Sequence, residues 1–487
     1  MEQPTGSAKP LPLQRYFPLA IWVVAVLVGL LIPLKILQLG YIPADDAMCH
    51  VAKALSGKTW PQILLMDQRF AQDEHPGWHS ILGALHRNFG LDADQMIFFS
   101  VAAPFVAFWL ALLVKRKRPE AMLLAIFLAS LAAPGSFGRF MFGRPFIVMT
   151  VVYVLLLQLW ARTDKVSVRA MVLSMALMAF SVWVHGSWYL FGFICAGFGL
   201  AGAWRKAWAF GWCWVLGTFF GALLTGHPIG YIHETTVHLL STFGGHPLER
   251  FLVTELQPDS GDVVFALVIV LAMLWRVARG EWRGSAEWTP LLALAVLGWF
   301  LGLKISRFWV DWGYPAAILW LAGELEAVLE KNSLRPYPVL VLSAFAAAGP
   351  YMLVTRDLND RWSQNATIEY ITPETPGIQG WLPDPGGLVY DSDMRVFFRT
   401  FYKNPHADWR YVLGFEPGIM TPENFDILRK IQWNSYTSQA YEPWVKKMRP
   451  QDRMILFQDA GIHPGIAGLE WYYAASDTWI GRLPRKP

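Results

Sequence analysis

The sequence predicts a polytopic α-helical membrane protein of about eleven transmembrane helices, followed by a small C-terminal α/β domain outside the membrane. Three observations predict it. Of 487 residues, 54% are hydrophobic and only 16% charged. Mean hydropathy is +0.32, more apolar surface than a soluble core of this size uses. Apolar runs of roughly span length recur up to residue 354, and none follows it.

The apolar runs fall near 17–39, 96–114, 120–134, 145–161, 168–184, 187–203, 207–225, 262–276, 288–303, 312–328 and 336–354. The opening "MEQPTGSAKPLPLQR" leads into the first without a small-residue cleavage signal, so that run is expected to stay as a signal-anchor. The stretch 61–95 is open to helices lying on the membrane surface. Lysine- and arginine-rich loops alternate along the chain: "KRKRPE" (115–120), "ARTDKVSVR" (161–169), "AWRKAW" (203–208), "WRVARGEWRG" (275–284) and "EKNSLRP" (330–336). The positive-inside rule makes these loops and the N-terminus cytoplasmic. The other set then faces outward: 40–95, 135–144, the turn at 185, 226–261, 304–311 and everything after 355. Residues 1–354 therefore read as a transmembrane unit, and 355–487 as an outward α/β domain. In the latter, "GGLVYDSD", "DWRYVLGF" and "DRMILFQDA" read as strands beside a helix at "TPENFDILRKI". The formal net charge is only +4, so nucleic acid is not implied. The three cysteines form no CxxC pair and take no redox or metal role. No internal repeat and no broken helix is legible. The 25 tryptophans mostly sit near span ends, as an aromatic belt would.

The chemistry concentrates in the loop 40–95. "PADDAMCHVAKALSG" puts Asp45 and Asp46 at the start of a helix that ends at Gly57. Acids in a first turn ordinarily complement the macrodipole and cap free N–H groups. At the bilayer surface an unpaired carboxylate is costly, which favours a functional use. His50 lies four residues after Asp46, on the same helical face. A second patch, Asp73, Glu74 and His75, precedes Pro76-Gly77 and a helix carrying His79. Two such patches suit a reaction in which one side deprotonates an acceptor hydroxyl or amide while the other holds a metal or orients the donor. The plain alternative is a solvated acidic loop.

Outward-facing basic residues run against the positive-inside bias: Arg139 and Arg144 in "GSFGRFMFGRPF", and Lys304 and Arg307 in "GLKISRFWVDWGYP". Held there, a cation wants an anion such as a lipid-linked phosphate, with snorkelling to headgroups as the ordinary alternative. Arg144 and Arg307, embedded among aromatic residues, are the strongest of these candidates, and His185 joins them from its turn. The segment 227–262, with His233 and His238, reads as a surface-lying or re-entrant flap over a site and matches no zinc signature.

This order of parts, one span, "PADDAMCHVAKALSGKTW", then "DEHPGWHSILGALHRNFG" leading into further spans, resembles the GT-C superfamily of membrane glycosyltransferases. That superfamily includes protein O-mannosyltransferases, aminoarabinose transferases and the oligosaccharyltransferase catalytic subunit. The resemblance implies that Asp45 or Asp46 is the catalytic or acceptor-activating acid and that His75-Pro76 matches the element following it. It also implies a sugar donor on a polyprenyl phosphate or pyrophosphate, with a glycan, lipid or protein acceptor. The expectation is a transferase of the bacterial inner membrane acting on its outer face. Arg144, Arg307, Lys304 and Arg139 would bind the donor phosphate. His50, Asp73, Glu74, His75, His79 and His185 would line the substrate. Relatives with and without a metal exist, so a divalent metal bridging Asp46 and the Asp73/Glu74 patch stays open, as does the choice between the aspartates. The chain departs from the superfamily in lacking a WWDYG-like motif in its C-terminal domain, which counts against protein N-glycosylation; "VDWGY" lies instead between spans. The rival expectations are a transporter or flippase of lipid-linked sugars and a non-catalytic scaffold of cell-envelope assembly.

Overall fold

The computed structural model describes residues 16–40, 46–114, 116–161, 166–244, 257, 262–281, 288–331, 336–357, 363 and 367–484. The described helices, in chain order, start with α1 (Phe17–Gln38), α2 (Asp46–Ser56), α3 (Trp60–Ile63), α4 (Pro76–Phe89), α5 (Ala93–Leu113) and α6 (Pro119–Ala132). Next come α7 (Pro134–Gly138), α8 (Phe146–Ala161), α9 (Val168–Val184), α10 (Gly192–Leu200), α11 (Trp204–Leu223), α12 (Pro228–Gly244) and α13 (Val263–Ala278). They continue with α14 (Pro290–Gly302), α15 (Ser306–Phe308), α16 (Tyr314–Lys331), α17 (Pro336–Val354), α18 (Met394–Lys403), α19 (Pro422–Trp433) and α20 (Glu442–Lys447). The strands are β1 (Gly387–Tyr390), β2 (Trp409–Tyr411), β3 (Arg453–Phe457), β4 (Glu470–Ala475) and β5 (Thr478–Arg482).

The apolar runs become helices because only a helix satisfies every backbone group within one segment when the surroundings offer no water. Among the described residues α1, α5 and Tyr337–Val354 are each long and apolar enough to cross a bilayer. Two bent pairs raise the number to five if each counts as one span. Five shorter apolar helices accompany them, at 146–161, 168–184, 188–200, 263–278 and 290–302. The protein is thus mostly helical, with several apolar helices of a multi-pass kind. α1 leaves Leu19, Leu27, Leu31 and Leu34 exposed, an apolar face that lipid would cover.

The bends differ from the sequence expectation of unbroken helices. α6 and Pro134–Met141 meet at 113°, and α11 and Pro228–Leu240 at 114°. Pro134 and Pro228 explain both: a proline restarts a helix at its first turn but cannot donate to the turn before it. Gly226, at φ +82°, lets the second chain reversal occur.

The C-terminal strands form one mixed sheet in the order β2-β1-β3-β5-β4. β2, β1 and β3 are parallel, and β5 joins β3 antiparallel. Ser476 and Asp477, both at positive φ, make the two-residue β4–β5 turn. Side chains alternate across the parallel strands as the pleat requires. Val389 and Ile455 point to a core shared with Val396, Phe397 and Phe401 of α18. Leu388, Tyr390, Met454 and Leu456 face Leu428 and Ile431 of α19 and Trp444 of α20. The result is a three-layer α/β unit.

The loop after α1 packs into this unit. Leu64 and Met66 form isolated bridges with Tyr411 and Met420. The amide of Leu65 donates to Tyr411 O at 2.8 Å, and that of Asp67 to Ile419 O at 2.9 Å. Cys49, Ala52, Trp60 and Ile63 enter the same core as α18. α2 and α3 are thus held between the helical bundle and the sheet.

Candidate active site beneath the C-terminal domain

Asp46 is the first residue of α2, whose amphipathic pattern buries Ala47 through Ala52 and turns the Asp46/His50 face inward. Gly57 closes the helix at φ +64°, a conformation in which a side chain would be strained. α4 starts with Pro76 at its first turn after His75. A Cβ on Gly77 would stand 2.5 Å from Trp183 Cδ2. Glycine there lets α4 approach α9 and sets the loop 73–75 over the cavity.

That cavity has a volume of about 270 Å³, near the small end of the range for ligand sites. It gathers residues from far along the chain: Asp46 and His50 from α2, Glu74 and His75 from the loop, Arg144 before α8, His185 after α9, and Arg307 from α15. Phe398 of α18 and Glu416, beyond β2, close it from the C-terminal domain. Asp45 lies outside the described residues.

Each charged group has a defined neighbour. Arg144 Nε is 3.4 Å from Asp46 Oδ2. Arg307 Nε is 3.4 Å from Asp311 Oδ2, and Arg139 Nε is 3.1 Å from Oδ1 of the same carboxylate. Phe146 takes both of these guanidinium groups at its ring, at 4.8 Å for Arg139 and 6.0 Å for Arg307. Arg139 therefore braces Arg307 through Asp311 and does not line the cavity itself. Lys304 is exposed and also stands outside the lining.

Behind His50 runs a chain of hydrogen bonds. Asp73 accepts from the His75 amide at 2.9 Å and pairs through Oδ2 with His79 Nδ1 at 2.5 Å. His79 Nε2 is 2.8 Å from His50 Nδ1. With neutral rings, the Asp73 carboxylate accepts a hydrogen bond from His79 Nδ1–H, His79 Nε2 accepts one from His50 Nδ1–H, and His50 Nε2 is left as an acceptor. Burial, reinforced by the rings of His75 and His79, holds His50 well below the usual imidazole range. Burial also lowers His75, to about 4, against the pull of Glu74 and Asp73. His185 falls through burial and then through His75 and Arg307; its Nδ1 accepts from the Ser187 amide at 3.2 Å. Burial opposes ionisation of Asp73, yet His79, Lys53 and His75 together hold the carboxyl below its ordinary range.

His238 Nδ1 lies 2.7 Å from Glu74 Oε1, and its Nε2 lies 3.1 Å from Glu416 Oε1. Two carboxylate partners require both ring nitrogens to donate, so this ring is an imidazolium. It ties the loop, α12 and the C-terminal domain together. Of the segment read as a flap, Pro228–Gly244 forms α12, and Thr235, His238 and Leu239 line the cavity; 245–256 and 258–261 lie outside the described residues. His238 itself was not among the expected site residues, nor were Glu416 and Asp311. Glu416 carries no local signal, and Asp311 sits in a π-helical turn, Trp309–Gly313, inside the "VDWGY" text.

Among the described residues no group of three or more His, Cys, Asp or Glu is arranged to hold a metal ion. Asp46, Asp73 and Glu74 are each turned to a different side chain, Arg144, His79 and His238. No protein-family model matches the chain, and no curated protein matches it.

Proposed function

We propose that the protein is a GT-C-like glycosyltransferase of a bacterial inner membrane, with about eleven spans and the C-terminal domain on the outer face. It moves a sugar from a polyprenyl phosphate or pyrophosphate to a glycan, lipid or protein acceptor. The observation that carries this reading is that Asp46 shares one cavity with Arg144 and Arg307. A carboxylate base and two cations stand where a sugar phosphate would need both.

Asp46 takes the proton of the acceptor hydroxyl as that oxygen attacks the anomeric carbon. The bond from that carbon to the phosphate oxygen breaks, and the lipid phosphate leaves with the electron pair. Arg144 and Arg307 hold the developing negative charge. A single displacement of this kind inverts the anomeric centre. His50, presenting a neutral acceptor nitrogen, orients the acceptor through a neighbouring hydroxyl, which leaves the proton of the attacking one to Asp46. His185 and His75 wall the sugar.

A polyprenyl-phosphate sugar, candidate acceptors and the purified full chain test this directly. Asp46→Asn should lower transfer about 10²- to 10⁴-fold, the usual range for a positioned base. Full transfer by Asp46→Asn refutes the assignment. A second reading, passage of lipid-linked sugar across the membrane, draws on the two sharply bent helix pairs. Its mark is sugar crossing vesicle membranes without being consumed.

A further inference from the structure

A second cavity, of about 880 Å³, opens at the carboxyl ends of β1, β2 and β3. The chain leaves β1 through α18 to reach β2 on one side, then passes through α19 and α20 to β3 on the other. β1 is therefore the point where the strand order reverses, and the crevice outside such a point is where open α/β sheets take ligands.

Its walls are polar but nearly chargeless. Ser392, Gln432, Tyr436, Thr437, Gln439 and Tyr441 supply hydroxyl and carboxamide groups. The only charged lining residues among those described are Asp393 and Arg395, and they neutralise each other with Nη2 to Oδ2 at 2.5 Å. Asp393 also caps α18 by accepting from the Arg395 amide. A carboxylate already occupies the helix N-terminus, where a nucleotide phosphate would need free N–H groups. One further feature points to a missing partner. Nε2 of Gln432 is buried without a hydrogen-bond partner, a cost that a ligand acceptor would remove. Ser435 and Tyr436, at φ 50° and 58°, end α19 with their amides bonded back to Gln432 O and Ile431 O, which fixes the edge of the crevice.

We propose that this crevice binds a neutral glycan. Its hydroxyls pair with the carboxamide and hydroxyl groups, and a sugar face lies on Tyr436, which is 52% exposed. Met394, the first residue of α18, lines both this crevice and the cavity at Asp46. A glycan seated here reaches that shared wall with one end, which makes it the acceptor; this last step rests on the transferase reading.

The test is binding of fluorescent neutral oligosaccharides, three to five hexoses long in α- and β-linked sets, to the full-length protein by anisotropy, with ADP and inorganic phosphate as competitors. Wild type should bind at least one neutral set without competition from either anion. Gln432→Leu and Tyr436→Ala should each weaken binding at least tenfold. Thr437→Trp, at an exposed position, should block it, with the near-ultraviolet spectrum reporting the fold of each variant. Failure of every neutral probe, displacement by ADP, or unchanged binding in all folded variants overturns the proposal. In a transfer assay the same variants should raise the acceptor KM and leave the donor KM unchanged. Tight oligosaccharide binding without any transfer by wild type would leave the glycan site standing and remove only its acceptor role.

Discussion

Asp73→Asn probes the hydrogen-bond chain behind His50 while leaving the cavity lining unaltered. In the native chain Asp73 accepts from His79 Nδ1, and His79 accepts from His50. An asparagine keeps an oxygen for the His75 amide but turns an NH₂ toward His79. Nδ1 of His79 must then accept, its Nε2 donates to His50 Nδ1, and His50 Nε2 becomes a donor instead of an acceptor. The lost contact is a hydrogen bond to a charged group between side chains 8% and 24% exposed, worth about 1.5–3 kcal/mol. At 1.36 kcal/mol per factor of ten, transfer should fall about 10- to 150-fold, with the donor KM unchanged. Initial rates of sugar transfer give the first readout, and ¹⁵N shifts of the His50 ring nitrogens report the tautomer. A variant that transfers at the native rate, or whose His50 shifts match wild type, refutes the relay.

Other expectations follow from the same geometry. Gly77→Ala would set a methyl 2.5 Å from Trp183 Cδ2 and 2.7 Å from its carbonyl oxygen; it should cost about 1–3 kcal/mol, seen as a lower thermal midpoint. His238→Gln removes the cation between Glu74 and Glu416, so hydrogen exchange at the Leu65 and Asp67 amides should quicken as the domain loosens. His50, His75 and His185 have folded pKa values below the unfolded one, so the stability they represent is present above about 6.5 and is lost as pH falls toward the value near 4 of His75; the midpoint should drop over that window, and less so in His75→Asn. Asp391 shows the opposite sign: fully buried, and raised by burial and then by Asp393, its acid form favours folding below about 3.8 and loses that contribution as pH rises. Asp391→Asn should therefore unfold later than wild type at pH 7, with the gap closing toward pH 4.

Local patterns made part of this site legible. Asp46 and His50 were visible through four-residue spacing, and Arg144 and Arg307 through their conflict with the charge rule. All four line one cavity. The same rule also selected Arg139 and Lys304, because it reports only which side of a membrane a cation falls on. Whether the side chain meets a cavity, a buried Asp311 or solvent depends on packing that the rule does not see. Glu416 and His238 were illegible as site residues since their meeting, 178 positions apart, has no local signature. In the C-terminal domain β1, β2, β3 and the helix at 421–431 could be read from period alone, whereas β4 and β5 were not among the segments read. The order β2-β1-β3-β5-β4 could not, because strand pairing is a property of the assembled sheet.

The pairing of residues 64–67 with the edge beside β2 sets a timetable for the molecule. Lys58 Nζ donates to Ala407 O across 349 residues. At about 5–20 residues per second a ribosome needs roughly 17–70 s to cover that interval. Asp46 of α2 is thus made early and waits, unroofed, until Phe398 and Glu416 arrive. During that wait the pocket lacks Phe415 and Glu416, so on the transferase reading a chain truncated before β2 should insert its apolar helices and fail to transfer sugar. On the transferase reading, the arrival of Phe398 and Glu416 at the cavity is what completes the site.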